Sequence, residues 1–299
     1  MILASIMSGL GNQLFQYANA RSISLTNNVQ LRLDLRWFVN RAMFGDEAAA
    51  ERLYYLHDYD IKASSYNAPI KFTKKRWTCL SWLRQNVLRQ HRFTQYYGAI
   101  DHYDDKFHKL PDFTYVACAS QSWKNFEPHS GTIKKELQCT RKLKNEDICA
   151  IERIRQAKNP VAIHIRRGDK AYSSDVNKVH GVCSLQYYAS ALKLLEKEYG
   201  ALTLFVFTDD HPWAKQEFKM SYPIFFIDHN SCAEDAPLDL HIMTHCQHHV
   251  IANSTFSWWG AYLATMKGRV IAPDKWVKTI DFNLKDVYLP SWTVIPITG

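Results

Sequence analysis

The stretch Val161-Ala162-Ile163-His164-Ile165-Arg166-Arg167-Gly168-Asp169-Lys170 decides the fold of this chain. It begins as an apolar, β-branched run, the pattern of a strand buried on both faces of a parallel sheet. In place of a plain turn, its end delivers a histidine, two adjacent arginines, a glycine and an aspartate. In open α/β sheets ligands sit at that end of the strands. Paired guanidinium groups offer planar donor forks to phosphate oxygens. Desolvating two of them is costly unless an anion or a carboxylate offsets the charge. Two readings follow: a phosphate-bearing ligand, which we prefer, or a structural network in which Asp169 folds back on one arginine.

Working outward from this strand, the second half of the chain alternates regularly. A helix at about 184–199 follows, then strands at 202–207, 223–227, 249–252 and 269–272, with helices at about 236–246 and 257–266 between them. Repeated β-α steps of this kind specify a parallel Rossmann-like layer. The first half opens with an apolar strand at 2–7, a Gly9-Leu10-Gly11-Asn12-Gln13 turn, a helical run from Leu14 to Leu25 and a strand from Val29 to Leu35. Residues 40 to about 110 show no clear strands. Phe113 to Ala119 reads as a strand, and Ile133 to Arg155 as charged helix. The Lys158-Asn159-Pro160 turn marks the boundary between halves.

Composition is that of a globular chain: 299 residues, 46% hydrophobic and 22% charged. No apolar run approaches the roughly 20 residues that span a bilayer. The N-terminal stretch lacks a basic n-region and reads as a first strand, not a signal peptide. The seven cysteines are scattered without a CxxC pair, which fits free thiols in a reducing compartment and gives a zinc site little support. Net charge is +8, much of it between Lys71 and Arg92, where basic residues mix with Trp77 and Trp82. A surface helix packing its tryptophans inward, a membrane-surface contact or a nucleic-acid contact would each explain that segment. Nucleic acid ranks last because no binding motif accompanies the charge.

Other strand ends are polar too. Thr208-Asp209-Asp210 closes one, and Asn253-Ser254-Thr255 closes another and opens the next helix. Ser254 and Thr255 offer hydroxyls and helix N-terminal amides to a phosphate, and either also suits an N-cap. Phe256 would line a base or sugar, while Trp258 and Trp259 suit the core. Asp239 stands on a helix that otherwise buries Leu240 and Met243. A lone carboxylate there matches the N1–H and N2–H₂ edge of guanine, or is a plain surface aspartate. Asn12 and Gln13 present amides at a helix start, with an N-cap as the alternative for Asn12. The Gly9-x-Gly11 turn and Asp34 are elements of a dinucleotide fingerprint, but Leu14 occupies the place of its third glycine.

Taken together, four blocks resemble the α-1,2-fucosyltransferases of glycosyltransferase family 11. They are Gly9-Leu10-Gly11-Asn12-Gln13-Leu14-Phe15-Gln16-Tyr17-Ala18, His164-Ile165-Arg166-Arg167-Gly168-Asp169, Phe207-Thr208-Asp209-Asp210, and Ala252 through Gly260. His180-Gly181-x-Cys183-Ser184 and Ala272-Pro273-x-x-Trp276 add to the likeness, whereas residues 40–150 carry almost none. The resemblance implies an α/β, GT-B-type fold: two Rossmann-like domains with parallel sheets facing a central cleft. We set these at 1–158 (acceptor side) and 159–275 (GDP-fucose side), with a tail, 276–299, packing back on the first.

It further implies inverting transfer of L-fucose from GDP-β-L-fucose to the 2-hydroxyl of a galactoside, without a metal. Arg166 and Arg167 would hold the pyrophosphate, with His164, Asp169 and Asp209 beside them. Gly11 and Asn12 would reach the donor across the cleft. Ser254, Thr255 and Phe256 would touch the phosphate and nucleoside, and Asp239 would read guanine. Asp175, one residue beyond the position where distant relatives place an acid, is a candidate general base, as are His164 and His180; little base assistance is a further alternative. The acceptor would be a galactose-terminated oligosaccharide or lipid-linked glycan. The enzyme would be cytoplasmic, in peripheral contact with the inner face of the membrane, and would bind no nucleic acid. Two rivals are an NAD-dependent oxidoreductase, argued from Gly9-x-Gly11 and Asp34, and a non-catalytic sugar-nucleotide or glycan-binding protein.

Overall fold

The computed structural model describes residues 1–39, 52–72, 92–100, 102–168 and 181–298. The expectations placed on Asp169, Asp175 and His180, and on most of the basic 71–92 segment, lie outside the described residues. The chain divides into two compact units, Met1–Glu136 and Leu137–Gly299. Each is built on one six-stranded parallel sheet, as expected of two Rossmann-like domains.

In the first unit, β1 (Ile2–Ser5) is fully buried and feeds α1 (Leu10–Thr26). The chain returns as β2 (Leu31–Asp34), makes the single turn α2 (Arg36–Val39), and adds β3 (Ser64–Ser65) at one edge. It then re-enters at the opposite edge with β4 (Lys71–Phe72), β5 (Arg92–Tyr96) and β6 (Thr114–Val116), giving the order β3-β2-β1-β6-β5-β4. The short helix α3 (Ser130–Glu136) closes the unit. Its Glu136 is buried and accepts a fork of bonds from Arg21 and one from the Tyr17 hydroxyl, tying α3 to α1. A buried carboxylate needs such partners to offset its lost hydration.

The second unit begins with α4 (Asn145–Gln156), then β7 (Pro160–Ile165), α5 (Leu185–Tyr199), β8 (Thr203–Thr208), α6 (His211–Glu217) and β9 (Ile224–Phe226). It continues with α7 (Ala236–Met243), β10 (His248–Val250), α8 (Thr255–Tyr262), β11 (Val270–Pro273), α9 (Leu284–Val287) and β12 (Thr293–Ile295). The sheet order is β12-β11-β10-β7-β8-β9. The chain lays strands outward from β7 to one side, then crosses over and lays them outward on the other. The order reverses between β7 and β10, and such a switch point opens a ligand crevice at the strand ends.

The two-residue period of β7 assigns its side chains to two faces. Val161, Ile163 and Ile165 pack with Tyr187, Tyr188 and Leu192 of α5 and with Ala214 of α6. Ala162 lies on the other face with Phe205, Phe207, Ile151 and Ile154 of α4, and Ile242 of α7, with Phe256 of α8 against them. Helices α7 and α8 pack on each other, closely enough that a β-carbon at Gly260 would run into Met243.

Two boundaries differ from the sequence expectation. The division falls before α4, not at 158: Ile151 and Ile154 bury against the second sheet, and α4 packs on α7. The tail 276–299, which the sequence reading set apart, belongs to the second unit. Strand β12 pairs with β11, and Trp292 packs against Trp258 of α8. The charged stretch read as one helix over 133–155 forms the two helices α3 and α4. No helix among the described residues is long and apolar enough to cross a membrane.

Candidate active site at the carboxyl edge of the second sheet

At the end of β7 the two arginines part company. Arg167 is turned toward α6, where its guanidinium lies 3.7 Å over the Trp213 ring and its Nε donates to Asp210 at 3.3 Å. Asp210 is itself the N-cap of α6, accepting from the Trp213 backbone N–H. Arg166 pairs with Asp209 at 2.7 Å. The same Asp209 carboxylate accepts the Arg167 backbone N–H at 2.8 Å through its other oxygen. Gly168 makes room for it, because a β-carbon there would collide with Asp209 Oδ2. Among the described residues, Asp209 and Asp210 thus pair with the two arginines.

Across the switch point stands the start of α8. Ser254 occupies the N-cap position in extended backbone, but its hydroxyl makes no cap bond. The first N–H groups of a helix have no intrahelical acceptor and carry the positive end of its dipole. With the cap position leaving them unanswered, this terminus suits an anion. Thr255 and Phe256 are half-buried there, and the Phe256 ring meets the His164 ring at a centroid distance of 5.3 Å. That contact bridges the switch point and sets the α8 terminus beside His164 of β7. His164 is 5% exposed, so it forms the wall of the site and does not present an open imidazole. Trp258 and Trp259 are fully buried, as expected of core residues.

Asp239 sits on α7, which packs beside α8 over the same face. It belongs to a polar cluster that the sequence alone did not reveal. Asn230 Nδ2 donates to Asp239 Oδ1 and to Asp147 Oδ1, both at 2.9 Å. His229 and the Lys144 backbone also bond Asp147, while the Lys144 ammonium joins Asn230 and Asp235. Burial raises the Asp147 pKa, but these donors more than offset it and hold the carboxyl below its usual range. For Asp239 the balance is opposite. Burial, reinforced by the charges of Asp147 and Asp235 and only partly countered by Asn230 and Lys144, pushes it up to about 7. Its Oδ1 keeps a second lone pair and its Oδ2 is turned to no donor among the described residues, so a two-donor edge fits it.

In the first unit the Gly9–Gln13 turn is a self-contained structure. Ser8 adopts φ 69°, a left-handed conformation that costs a non-glycine residue energy. Gln13 holds it: its amide donates to the Ser8 and Leu53 carbonyls and accepts from the Tyr55 backbone. Gln13 is fully buried and has no amide left for a ligand, contrary to the expectation for it. Gly11 is buried in the first turn of α1; Asn12 is half-buried, bonded to Ser8 Oγ and Gln121. Asp34, the acid of the oxidoreductase alternative, is closed as well. Its oxygens take the Arg36 side chain and backbone and the Tyr115 hydroxyl. Burial pushes its pKa up, but these bonds outweigh burial and hold the carboxyl low. A ribose would have to displace that network.

Of the expected residues, then, the fold gathers His164, Arg166, Arg167, Asp209, Ser254, Thr255 and Phe256 at one strand edge. Asp239 stands on the adjoining helix, and Gly11 and Asn12 belong to the other unit. Trp213, Asp147, His229 and Asn230 are additions. Asp210-His211-Pro212-Trp213 carries a readable signal, an N-cap acid followed by proline in the first turn. The partners of Asp239 come from distant segments and leave none.

Two doubly wound parallel sheets of this kind define a Rossmann-like class of α/β protein, and comparison makes it specific. The chain belongs to glycosyltransferase family 11, whose model matches residues 1–296; it is a glycosyltransferase. It is 29% identical to an α-1,2-colitosyltransferase of Escherichia coli, over 99% of each chain. It is also 29% identical to the O-antigen biosynthesis glycosyltransferase WbnK of Escherichia coli, over 91% of this chain and 93% of that one. A galactoside α-(1,2)-fucosyltransferase 2 of Rattus norvegicus is 23% identical over 68% of this chain and 59% of its own. Among solved structures, the Bradyrhizobium fucosyltransferase NodZ superposes with a TM-score of 0.53 at 15% identity, covering 90% and 94% of the two chains. That likeness is one of fold.

Proposed function

We propose that this enzyme transfers L-fucose from GDP-β-L-fucose to the 2-hydroxyl of a β-galactoside, with inversion, to give an α-1,2 linkage in a surface glycan. The observation that carries it is the polar carboxyl edge of the second sheet: Arg166, paired with Asp209, follows β7, and the uncapped N-terminus of α8 stands beside His164 across the switch point. Arg166 and the first N–H groups of α8 bind the diphosphate and stabilise the charge that develops on it as the glycosidic bond breaks. Phe256 packs against the nucleoside side, and Asp239 reads guanine. In this proposal the donor-side charge is met by the protein, so no metal is needed. The acceptor is a galactose-terminated or lipid-linked glycan at the cytoplasmic face of the membrane, and Asp175 is our candidate base.

The names of the relatives support an α-1,2 transfer of an L-sugar and a role in O-antigen assembly, and the colitosyl relative makes the donor sugar the variable to test. The protein is incubated with GDP-fucose, and separately with its 3-deoxy counterpart GDP-colitose, and a panel of β-galactosides. Product linkage is read by NMR, with and without EDTA. An α-1,2-fucoside formed equally in EDTA is expected. Transfer of colitose alone would reassign the donor, and activity restored only by Mg²⁺ or Mn²⁺ would overturn the metal-free mechanism.

A further inference from the structure

We infer that Asn230 is a positioning residue for nucleotide recognition, holding the Asp239 carboxylate in the direction from which it reads the guanine edge. The inference rests on the function proposed above. Asn230 lies in the connection from β9 to α7, and Asp239 belongs to the first turn of α7. Both therefore stand at the carboxyl edge of the second sheet, where ligands of such folds sit. The Asn230 side chain is buried, and each of its amide groups has a partner. Its Oδ1 accepts from the Lys144 ammonium at 3.0 Å, and its Nδ2 donates to Asp239 Oδ1 and to Asp147 Oδ1, both at 2.9 Å. An acceptor toward an ammonium and two N–H donors toward two carboxylates leave the amide one orientation, because turning it over would set like against like.

The groups behind Asn230 are fixed from several sides. Asp147 is fully buried, accepts the Lys144 backbone N–H at 2.7 Å at the start of α4, and bonds His229 at 2.9 Å. The Lys144 ammonium also pairs at 2.7 Å with Asp235, which holds the N-cap position of α7. Asn230 thus ties the start of α4 to α7. Asp239 has little else to direct it: among the described residues Asn230 is its one hydrogen-bond donor. That bond engages Oδ1 and leaves Oδ2, with one lone pair of Oδ1, for the N1–H and N2–H₂ donors of guanine. The donor is a neutral amide, so it orients the carboxylate without cancelling its charge, as a lysine or arginine at this position would. Burial raises the Asp239 pKa, and the Asn230 hydrogen bond opposes it, favouring the ionised form that guanine needs.

The test is Asn230→Ala, which removes the donor, beside Asn230→Asp, which keeps the volume and the Lys144 contact but sets a third carboxylate against Asp147 and Asp239. The fold of each is checked by circular dichroism. Either change should weaken GDP binding by about tenfold in calorimetry, the loss expected when a hydrogen bond to a charged group goes. ADP binding should stay at its wild-type level, so the preference for guanine narrows. In transfer from GDP-fucose, KM should rise while kcat stays within about twofold, because base recognition is shared by ground state and transition state. The decisive measurement is the cycle with Asp239→Ala: adding Asn230→Ala to it should cost no further GDP affinity, since Asn230 acts through Asp239. A merely structural role would lower GDP and ADP binding together and would persist in the Asp239→Ala background. Either result would overturn the inference, as would wild-type GDP affinity in the Asn230 variants when Asp239→Ala has lost it. Full GDP affinity in Asp239→Ala would overturn it together with the assignment of Asp239 to guanine. Wild-type protein that binds GDP no better than ADP would sink the proposed donor as well.

Discussion

Arg166 and Arg167 are adjacent in sequence but are held by different aspartates. Arg167 lays its face on Trp213 and pairs through Nε with Asp210, whereas Arg166 pairs with Asp209. Replacing Arg166 by alanine should lower kcat by about 10²–10³, the usual loss for one preorganised donor. Lysine should not restore it, because an ammonium cannot reproduce the planar fork. Near-normal turnover of the lysine variant would make Arg166 a structural partner only. Asp239 gives a pH-dependent prediction. Its folded pKa, about 7 against an ordinary 3.8, is raised. The stabilisation of the protonated form is therefore fully present below pH 3.8 and is lost as pH rises through 7. Asp239→Asn should raise the thermal midpoint at pH 8 relative to wild type and make no difference below pH 4, with a ceiling on the order of 4 kcal/mol at about 1.4 kcal/mol per unit. Guanine needs the ionised carboxylate, so wild-type GDP affinity should weaken as pH falls through 7. A flat profile between pH 6 and 8 would remove Asp239 from the base site.

At the scale of elements, α8 allows a backbone group to be tested by itself. Thr255 is the first residue of the helix, and Ser254 before it is extended, at φ −146° and ψ 130°. That is the backbone proline asks of its predecessor, and the first helical position tolerates proline. Thr255→Pro should therefore fold normally while deleting one N–H from the anion site. A hydrogen bond to a charged group contributes about 1.5–3 kcal/mol, so GDP affinity should drop by about 10- to 100-fold. Unchanged affinity would place the diphosphate elsewhere. What the sequence made legible follows the same physics. Strands β7 and β8, buried along their length, announced themselves as apolar runs, and the polar residues at their ends marked the candidate site. Strands β3 and β4 are two-residue edges, exposed on every position, and leave no pattern to read. The partner of a helix is not written in its own stripe either: Ile151 and Ile154 show that α4 buries one face, but not against which sheet. The pairing of Arg166 and Arg167 with Asp209 and Asp210 was equally hidden, because it comes from parallel pairing of β7 with β8, which sets Ile165 opposite Thr208 and so brings Asp209 and Asp210 alongside.

At the scale of the whole molecule, the last residues belong to the site they seem remote from. Strand β12 covers the outer edge of β11, pairing Thr293, Val294 and Ile295 with Ile271, Ala272 and Pro273. Beyond it, the Ile297 carbonyl accepts the backbone N–H of Ser184, which caps α5, and Asp274 accepts the Ile297 N–H. Trp292 lies against Trp258, whose indole N–H donates to the Val287 carbonyl at 2.8 Å. Trp258 is fully buried in α8, three residues from the first N–H group of that helix. The tail thus supports two parts of the proposed donor edge at once: the start of α5, whose Tyr188 hydroxyl bonds the His164 carbonyl on β7, and the core side of α8. A chain ending after Leu289 should lose both supports, expose the edge of β11 and uncover Trp258. GDP binding should fall by more than tenfold, accompanied by a red shift of tryptophan fluorescence and a lower thermal midpoint. Trp292→Phe, which keeps an aromatic ring against Trp258, should retain most of the affinity where Trp292→Ala does not. Full GDP affinity in the truncated chain would show that β7, β8 and β10 hold the donor edge by themselves, with the tail serving only to cover the sheet.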